Sequence, residues 1–226
     1  MAKIKLGAIV VAMSGKLGGH VFAKNRGGAY MRTKITPSNP QSAAQMSVRG
    51  AFAGISSSWS ALSESARNTF NGFVNAYSTT DIFGDIKNPS GKTLFQRLNQ
   101  NLSNSGQALI TTCVAPTEVP FAGVTSALYD ISDTIFEIET SGDTTGSEIM
   151  VFVTPPLSQG TTFVKNRLRL LETYSGGAAV TLNIYGEYTT RFDVQPAGAN
   201  IYVAVKVVNA NGQASPLETI KALVQA

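Results

Sequence analysis

The chain has 226 residues, of which 43% are hydrophobic and 14% are charged, with a net charge of +4. This length and apolar content suffice to close the core of one large domain or two small ones. The single cysteine, Cys113, excludes an internal disulfide and is expected to be a small buried residue. No apolar run reaches the roughly 18 residues of a membrane span. No cleavage site follows the short apolar run from Leu6 to Met13, so we expect no signal peptide and a soluble protein made in a cytoplasm.

Charge is distributed unevenly along the chain. Residues 1–110 contain 12 basic and 3 acidic residues, a net charge of +9, whereas residues 111–226 contain 6 basic and 11 acidic residues, a net charge of −5. Turn signals also change near residue 110, so we predict two domains. The basic end is expected to meet something anionic, either nucleic acid or the acidic face of another protein.

Residues 1–36 are predicted to form an extended basic β-arm. The runs 3–13, 20–23 and 29–35 are rich in strand-favouring residues and are separated by glycine-containing turns. An arm of short strands has little core of its own, so we expect it to pair with the rest of the chain or with a neighbouring subunit. The candidate protein-interface residues all lie in this arm: Lys16, Lys24, Arg26, Tyr30, Arg32 and Lys34.

Residues 37–112 are predicted to form a small helical anchoring domain. Asn39 and Pro40 have the residue types of an N-cap and a first helical position. Apolar residues then recur at three- and four-residue steps as far as Trp59, and two glycines predict a break before it. The predicted inner face of this first helix consists of Ala44, Val48, Phe52, Ile55 and Trp59.

Two further helices are predicted in this domain, with Ser63 and Ser90 as their N-caps and Gly106 just beyond the end of the last. A polar, turn-like stretch from Thr80 to Asn88 separates them. Three helices of this size leave little room for a deep pocket. Their predicted inner faces consist of Ala66, Phe70, Phe73, Val74, Tyr77, Leu94, Phe95, Leu98 and Leu102.

A linker is predicted at residues 113–120, because Pro116 and Pro120 favour extended backbone. Residues 121–226 are predicted to form an antiparallel β-sandwich, because short strand-like segments recur there with turn signals between them. In the clearest segment, 201–208, alternate residues are apolar. The predicted strands are 124–129, 135–140, 148–153, 168–174, 180–184, 201–208 and 219–224.

Motifs of catalysis and of cofactor binding fail when tested residue by residue. Gly91-Lys92-Thr93 would end a phosphate-binding loop, but Ile86 stands where the loop requires its first glycine. His20 is the only histidine and Cys113 the only cysteine, so neither a His-based nor a thiolate metal cluster is expected within one chain. His20 is expected in a strand or turn. We therefore predict no catalytic residues, no cofactor, no metal and no small-molecule substrate: the protein is not expected to be an enzyme.

Nucleic-acid binding is the alternative use of the arm. Its cations could meet phosphates, with Phe22 and Tyr30 interleaved for base stacking. No helix-turn-helix, RRM or zinc pattern accompanies them, so a contact to protein is favoured.

The last two predicted strands, IYVAVKVVNANGQASPLETIKALV, resemble the end of a fibronectin type III module. An alternating strand meets an Asn/Gly turn, and Ser-Pro leads into the edge strand. The family's strand aromatics are not cleanly placed here, so an immunoglobulin-like relative is equally admissible. Either resemblance implies a binding or spacing module rather than a reaction.

Three features follow one another in the N-terminal half: SGKLGGHVFAKNRGGAYMRTKITPSNPQSAAQ, a Trp-bearing helix, and TDIFGDIKNPSGKTLFQRLNQNL. In this order they resemble an uncharacterised family of structural proteins in tailed bacteriophages and prophages. The predicted elements together make a two-domain α+β protein. The resemblance implies a virion structural protein, made in the host cytoplasm, whose partners are copies of itself and capsid, portal, neck or tail proteins. An auxiliary capsid decoration protein is the first expectation, and a neck or tail ring component is the alternative.

Overall fold

The structure, a computed structural model, describes residues 2–7, 10–158 and 160–225, and all their side chains except that of Leu223. Within these residues the chain is mixed α+β, with four helices and predominantly antiparallel strands. The α+β class predicted from the sequence is therefore confirmed.

The chain divides into two compact units. Unit 1 comprises Met1–Arg49 and Thr79–Lys87, and unit 2 comprises Gly50–Ser78 and Asn88–Ala226. This division differs from the predicted domains, because most of the helical region shares unit 2 with the large sheet.

Unit 1 contains a four-stranded antiparallel sheet in the order β1-β4-β3-β2, and a separate hairpin of β5 and β6. The predicted strand 3–13 is wrong for residues 4–7 and 10–13, while residues 8 and 9 lie outside the described residues. β1 pairs with β4 only at Ala2 and Lys3, opposite Met31 and Tyr30, and β4 begins two residues before Tyr30, at Gly28, so β4 has little length left for a longer β1 to pair with. The strands are β1 (Ala2–Lys3), β2 (Gly15–Leu17), β3 (His20–Asn25), β4 (Gly28–Thr33), β5 (Thr79–Thr80) and β6 (Ile86–Lys87).

Helix α1 spans Ala43–Ala61. The predicted N-cap at Asn39 is wrong, because the helix starts after Ser42, whose hydroxyl accepts a hydrogen bond from a first-turn amide at 3.4 Å. The predicted break before Trp59 is also wrong. Ile55 and Trp59 join a hydrophobic cluster in unit 2, and this packing outweighs the roughly 1 kcal/mol by which each helical glycine is disfavoured.

Helices α2 (Glu64–Gly72) and α3 (Gly91–Asn104) begin after the predicted caps, but α2 ends at Gly72, before Phe73, Val74 and Tyr77 of its predicted face. Ser63 and Ser90 each accept a backbone N–H hydrogen bond at 3.2 Å. After α3, Gly106 adopts a positive φ of 72°, as a helix-ending glycine does. The two helices and the end of α1 enclose a core that includes Ile55, Phe70, Tyr77, Leu94, Phe95 and Leu98.

Seven strands of unit 2 confirm the seven predicted segments. They are β7 (Gly123–Asp130), β8 (Ile135–Ser141), β9 (Ser147–Val153), β10 (Arg169–Ser175), β11 (Thr181–Asn183), β12 (Asn200–Asn209) and β13 (Glu218–Gln225). They form one sheet in the order β10-β9-β12-β13-β7-β8-β11. Neighbours are antiparallel except β13 and β7, which pair in parallel at two positions.

Both ends of this sheet contribute side chains to a single core. Phe136 and Ile138 of β8 and Val151 of β9 belong to it, together with the alternating apolar residues of β12. Each fully buried aliphatic or phenyl side chain stabilises the fold by about 1.5–3 kcal/mol. The opposite face of β12 is also covered, because Leu102 of α3 packs there against Met150 and Val208.

Two features of unit 2 differ from the sequence prediction. Helix α4 (Tyr185–Phe192) follows β11 and was not predicted, because Ile184 at its N-cap position provides no side-chain cap. The predicted linker 113–120 has no regular secondary structure, yet it packs into the unit. Cys113 is buried there as predicted, and Thr117 donates its amide and its hydroxyl to the Gln213 side-chain oxygen at 2.9 and 2.7 Å.

Candidate interaction surface

The register of the unit 1 sheet places the predicted interface residues on two different faces. Val21 of β3 pairs with Lys16 of the neighbouring strand β2 and with Arg32 of the neighbouring strand β4, so these three side chains project from the same face of the sheet. Tyr30 lies two residues from Arg32 on β4 and therefore projects from the same face. We call this the basic face: Lys3, Lys16, Val21, Ala23, Tyr30 and Arg32.

The opposite face of the same sheet is apolar at its centre. Phe22 pairs with Met31, and both side chains are half-buried. Lys24 also lies on this face, away from Lys16 and Arg32. Arg26 is exposed in the turn between β3 and β4, and Lys34 is exposed just beyond β4. The structure thus brings together three of the six predicted residues, Lys16, Tyr30 and Arg32, and separates the other three from them.

Unit 1 exposes its apolar side chains. Across its described residues, 2–7, 10–49 and 79–87, no hydrophobic residue is buried. Val11 is 91% exposed and Leu17 is 65% exposed. A sheet normally buries one face against a second layer, and these residues of unit 1 supply none.

The first half of α1 is uncovered in the same way. Val48 and Phe52, which were predicted to face the core, are 66% and 51% exposed, whereas Ile55 is 3% exposed. The prediction that Val48 and Phe52 face the core is therefore wrong. No other described residues cover this part of the apolar face of α1, so it is available to another molecule.

A charged cluster joins β1 to the β5-β6 hairpin. The Asp81 carboxylate lies 3.0 Å from the Lys87 ammonium nitrogen and 3.4 Å from that of Lys3, and only 5% of its side-chain surface is exposed. Its other oxygen accepts hydrogen bonds from the amides of Phe83 and Asp85 at 2.8 and 3.0 Å. Lys87 also donates to a backbone carbonyl in the β3-β4 turn. The cluster holds the hairpin to the sheet.

These contacts determine the charge state of Asp81. Removal from water by itself raises the pKa of the Asp81 carboxyl, but the hydrogen bonds from Lys87 and from two backbone amides outweigh that effect and hold the pKa well below its usual range. The ionised form is therefore favoured in the folded unit. Sequence reasoning missed the cluster because Lys3 and Asp81 are 78 positions apart and no local spacing signals their contact.

Neither a metal cluster nor a membrane-spanning helix is found in the part of the chain that the structure describes. There, no three His, Cys, Asp or Glu side chains come together as metal ligands would. No helix within that part is both long and apolar enough to cross a membrane. A scan against protein-family models and a search of curated proteins each found no match to this chain.

Proposed function

We propose that the protein is a virion structural protein of a tailed bacteriophage, and more specifically an auxiliary decoration protein of the capsid. The observation that carries the proposal is unit 1 with its four-stranded sheet: the unit has no buried hydrophobic residue in its described part and carries nine basic against two acidic residues, a net charge of +7. Such a sheet needs cover from another molecule. The N-terminal resemblance to phage structural proteins supplies the setting, and the proposal includes no catalytic role.

Three features of unit 1 would serve such a contact. The basic face offers Lys16 and Arg32 to an acidic partner surface. The opposite face offers Phe22 and Met31 as apolar contacts. The short edge strands β1 and β2 leave backbone groups that a strand of a neighbour can pair with. The neighbour is a capsid protein or another copy of this chain.

The large sheet of unit 2 is proposed to be an immunoglobulin-like or fibronectin type III-like sandwich that projects from the particle or bridges neighbours. Its strand order supports this reading. In immunoglobulin lettering, β10-β9-β12-β13 correspond to C′-C-F-G and β7-β8-β11 correspond to A-B-E. Both groups contribute to one core, as two facing layers would.

The proposal is tested by mass spectrometry of purified phage particles. We expect the chain in intact particles, at a copy number comparable to that of the major capsid protein. A copy number equal to that of a single ring would favour the neck or tail alternative. Absence from particles that are otherwise complete would overturn the proposal.

Charge reversal tests the contact itself. We expect Lys16→Glu with Arg32→Glu to prevent incorporation into particles while leaving the melting temperature of the free protein nearly unchanged, because each exposed charge contributes only about 0–1 kcal/mol. The matched control is Lys92→Glu with Lys165→Glu, two exposed residues of unit 2, which changes the net charge equally but leaves both faces of the unit 1 sheet intact. Equal loss of incorporation in both variants would mean that total charge, not this face, directs assembly.

Nucleic-acid binding is the second candidate, and the +7 charge of unit 1 with Tyr30 between its cations favours it. In that case the affinity for DNA or RNA would fall steeply as salt rises, because bound cations release counterions from phosphates. Fluorescence anisotropy with a labelled oligonucleotide distinguishes the two candidates. If the wild type and the Lys16/Arg32 variant bind the oligonucleotide equally weakly, nucleic-acid binding is excluded.

A further inference from the structure

Unit 2 contains a cleft that the proposed function does not use. It has a volume of about 470 Å³ and lies between helix α3 and the turn that connects β12 to β13. Leu98, Val119 and Ala214 provide its apolar surface, while Arg97 and Lys206 provide its charge. The sequence prediction of little room for a pocket considered only the three helices, and this cleft is formed by a helix together with the sheet.

The turn that forms one wall is held in a fixed conformation. The Asn209 side-chain oxygen accepts hydrogen bonds from the amides of Asn211 and Gln213, each at 3.0 Å. Gly212 has a φ of 74°, and its carbonyl accepts from the Asn101 side chain of α3 at 2.8 Å. The cleft is therefore formed before any ligand arrives.

Gln213 fixes the adjoining wall. It is only 6% exposed, and its side-chain nitrogen donates to the Tyr77 hydroxyl at 2.7 Å. Its side-chain oxygen accepts from Thr117, as described above. These amide and hydroxyl groups already have partners in the folded protein, which leaves the two cations as the groups that can bind a ligand ionically.

Within the described part of the chain, neither cation has an anionic partner. Lys206 is half-buried on β12, and its ammonium group donates to the neutral Asn101 side chain at 3.1 Å. The Arg97 guanidinium carbon lies 5.5 Å from the centre of the Tyr77 ring. Among the described residues, no carboxylate lies within 4.0 Å of either cation. Burial lowers the pKa of Lys206, because removal from water disfavours its charged form when no anion compensates.

We propose that this cleft binds an organic carboxylate, with its charged group between Lys206 and Arg97 and its apolar part on Leu98, Val119 and Ala214. The apolar surface favours a ligand with a hydrocarbon portion over an inorganic anion, and the volume suits a small molecule or a chain end. Two sources have this chemistry: a free carboxylic acid, and the C-terminal carboxylate of a polypeptide that ends in an apolar residue. The proposal holds whether or not the protein belongs to a phage particle.

Titrations of the full chain, followed by NMR chemical shifts, test this site. The probes are hexanoate, N-acetyl-leucine, a pentapeptide ending in leucine with a free carboxylate, the same peptide amidated, and inorganic phosphate. We expect the carboxylates to shift the amides of Gly212 and Ala214, and the amidated peptide and phosphate to bind at least about tenfold more weakly, because charge-assisted hydrogen bonds are lost or the apolar contact is absent.

Matched variants localise the binding. Lys206→Met and Arg97→Gln are each expected to weaken carboxylate binding about tenfold or more, whereas Lys92→Met, on the same helix as Arg97 but outside the cleft, should leave it unchanged. Circular dichroism checks that each variant folds. If Lys206→Met does not fold, Arg97→Gln gives the same test, because this side chain lies at the surface of α3.

The result also identifies the source of the carboxylate. Tighter binding of the free-carboxylate peptide than of N-acetyl-leucine assigns the cleft to a chain end, and the reverse order assigns it to a free acid. The proposal is overturned if no carboxylate binds at millimolar concentration, if phosphate or the amidated peptide binds equally well, or if Lys92→Met weakens binding as much as the cleft variants do.

Discussion

The two units contain strands of similar composition but bury their side chains to different extents. In unit 2, Phe136 on β8 is completely buried in a core that also contains Val151 of β9 and Tyr188 of α4, while in unit 1 Phe22 on β3 is only half-buried. Both strands are rich in residues that favour β structure, so propensity does not explain the difference. A strand gains a core only when other side chains cover it, and unit 2 supplies that cover whereas the described part of unit 1 does not. We propose that another molecule completes unit 1.

Truncation of one phenyl ring in each sheet should give the largest contrast. Phe136→Ala is expected to lower the free energy of unfolding by about 3–5 kcal/mol, because it leaves a cavity in a closed core. Phe22→Ala is expected to lower it by less than about 1 kcal/mol, as at a partly exposed site. Urea denaturation of the isolated protein measures both values. Equal losses would show that unit 1 has a core of its own.

A glycine pair tests how tightly unit 2 is packed. Gly212→Ala places a Cβ about 2.5 Å from the Leu98 carbonyl oxygen at a φ of 74°, whereas Gly198→Ala has a φ of 84° and open space around the Cβ. Positive φ destabilises each variant by roughly 1–2 kcal/mol, and overpacking adds about 1–3 kcal/mol for Gly212 alone. Thermal unfolding compares them, and equal melting temperatures would mean that the turn does not press against α3.

The Asp81 cluster should make the attachment of the hairpin depend on pH. The folded state lowers the pKa of Asp81. The stabilisation that the ionised carboxylate provides is therefore complete above the ordinary aspartate pKa of about 3.9 and is lost progressively as pH falls below that value. NMR hydrogen exchange of the Phe83 and Asp85 amides should accelerate over that range, after correction for intrinsic exchange. Asp81→Asn should remove the transition, and the control Asp85→Asn should keep it.

Removal of the arm should have the smallest effect on the free chain. Deletion of residues 1–36 is expected to leave the melting temperature of unit 2 within a few degrees of the full chain, because every residue of its hydrophobic clusters lies outside the deletion. The truncated protein should no longer join its assembly. Circular dichroism and particle incorporation measure the two outcomes, and outright unfolding would make the arm part of the intrachain fold.

Much of unit 2 was predictable from local patterns. Strand alternation, the serine caps at Ser63 and Ser90, and the helix-ending Gly106 depend on residues close in sequence, and the structure has all of them. Helix α4 was not predictable because Ile184 provides no cap. The continuity of α1 depends on the contacts of Trp59 with Phe70 and Phe95, with ring centres 5.9 and 5.4 Å away, which local patterns do not reveal.

The candidate surface was predictable only in part. The sequence identified the basic arm, but the shared face of Lys16 and Arg32 depends on a register that follows from the turns between β2, β3 and β4. The Asp81 cluster joins residues 78 positions apart, and the cleft at Lys206 joins residues 105 positions apart. Such sites arise from tertiary packing, so their residues show no common spacing in the chain.

Hydrogen exchange of the isolated protein, resolved amide by amide, tests the central claim most directly. A sheet without a second layer opens locally at little free-energy cost, while a closed core exchanges only through global unfolding. We predict that the paired amides of β3 and β4 exchange orders of magnitude faster than those of β9 and β12. Equal protection in the two sheets would contradict the account, because unit 1 would then be stable without any partner.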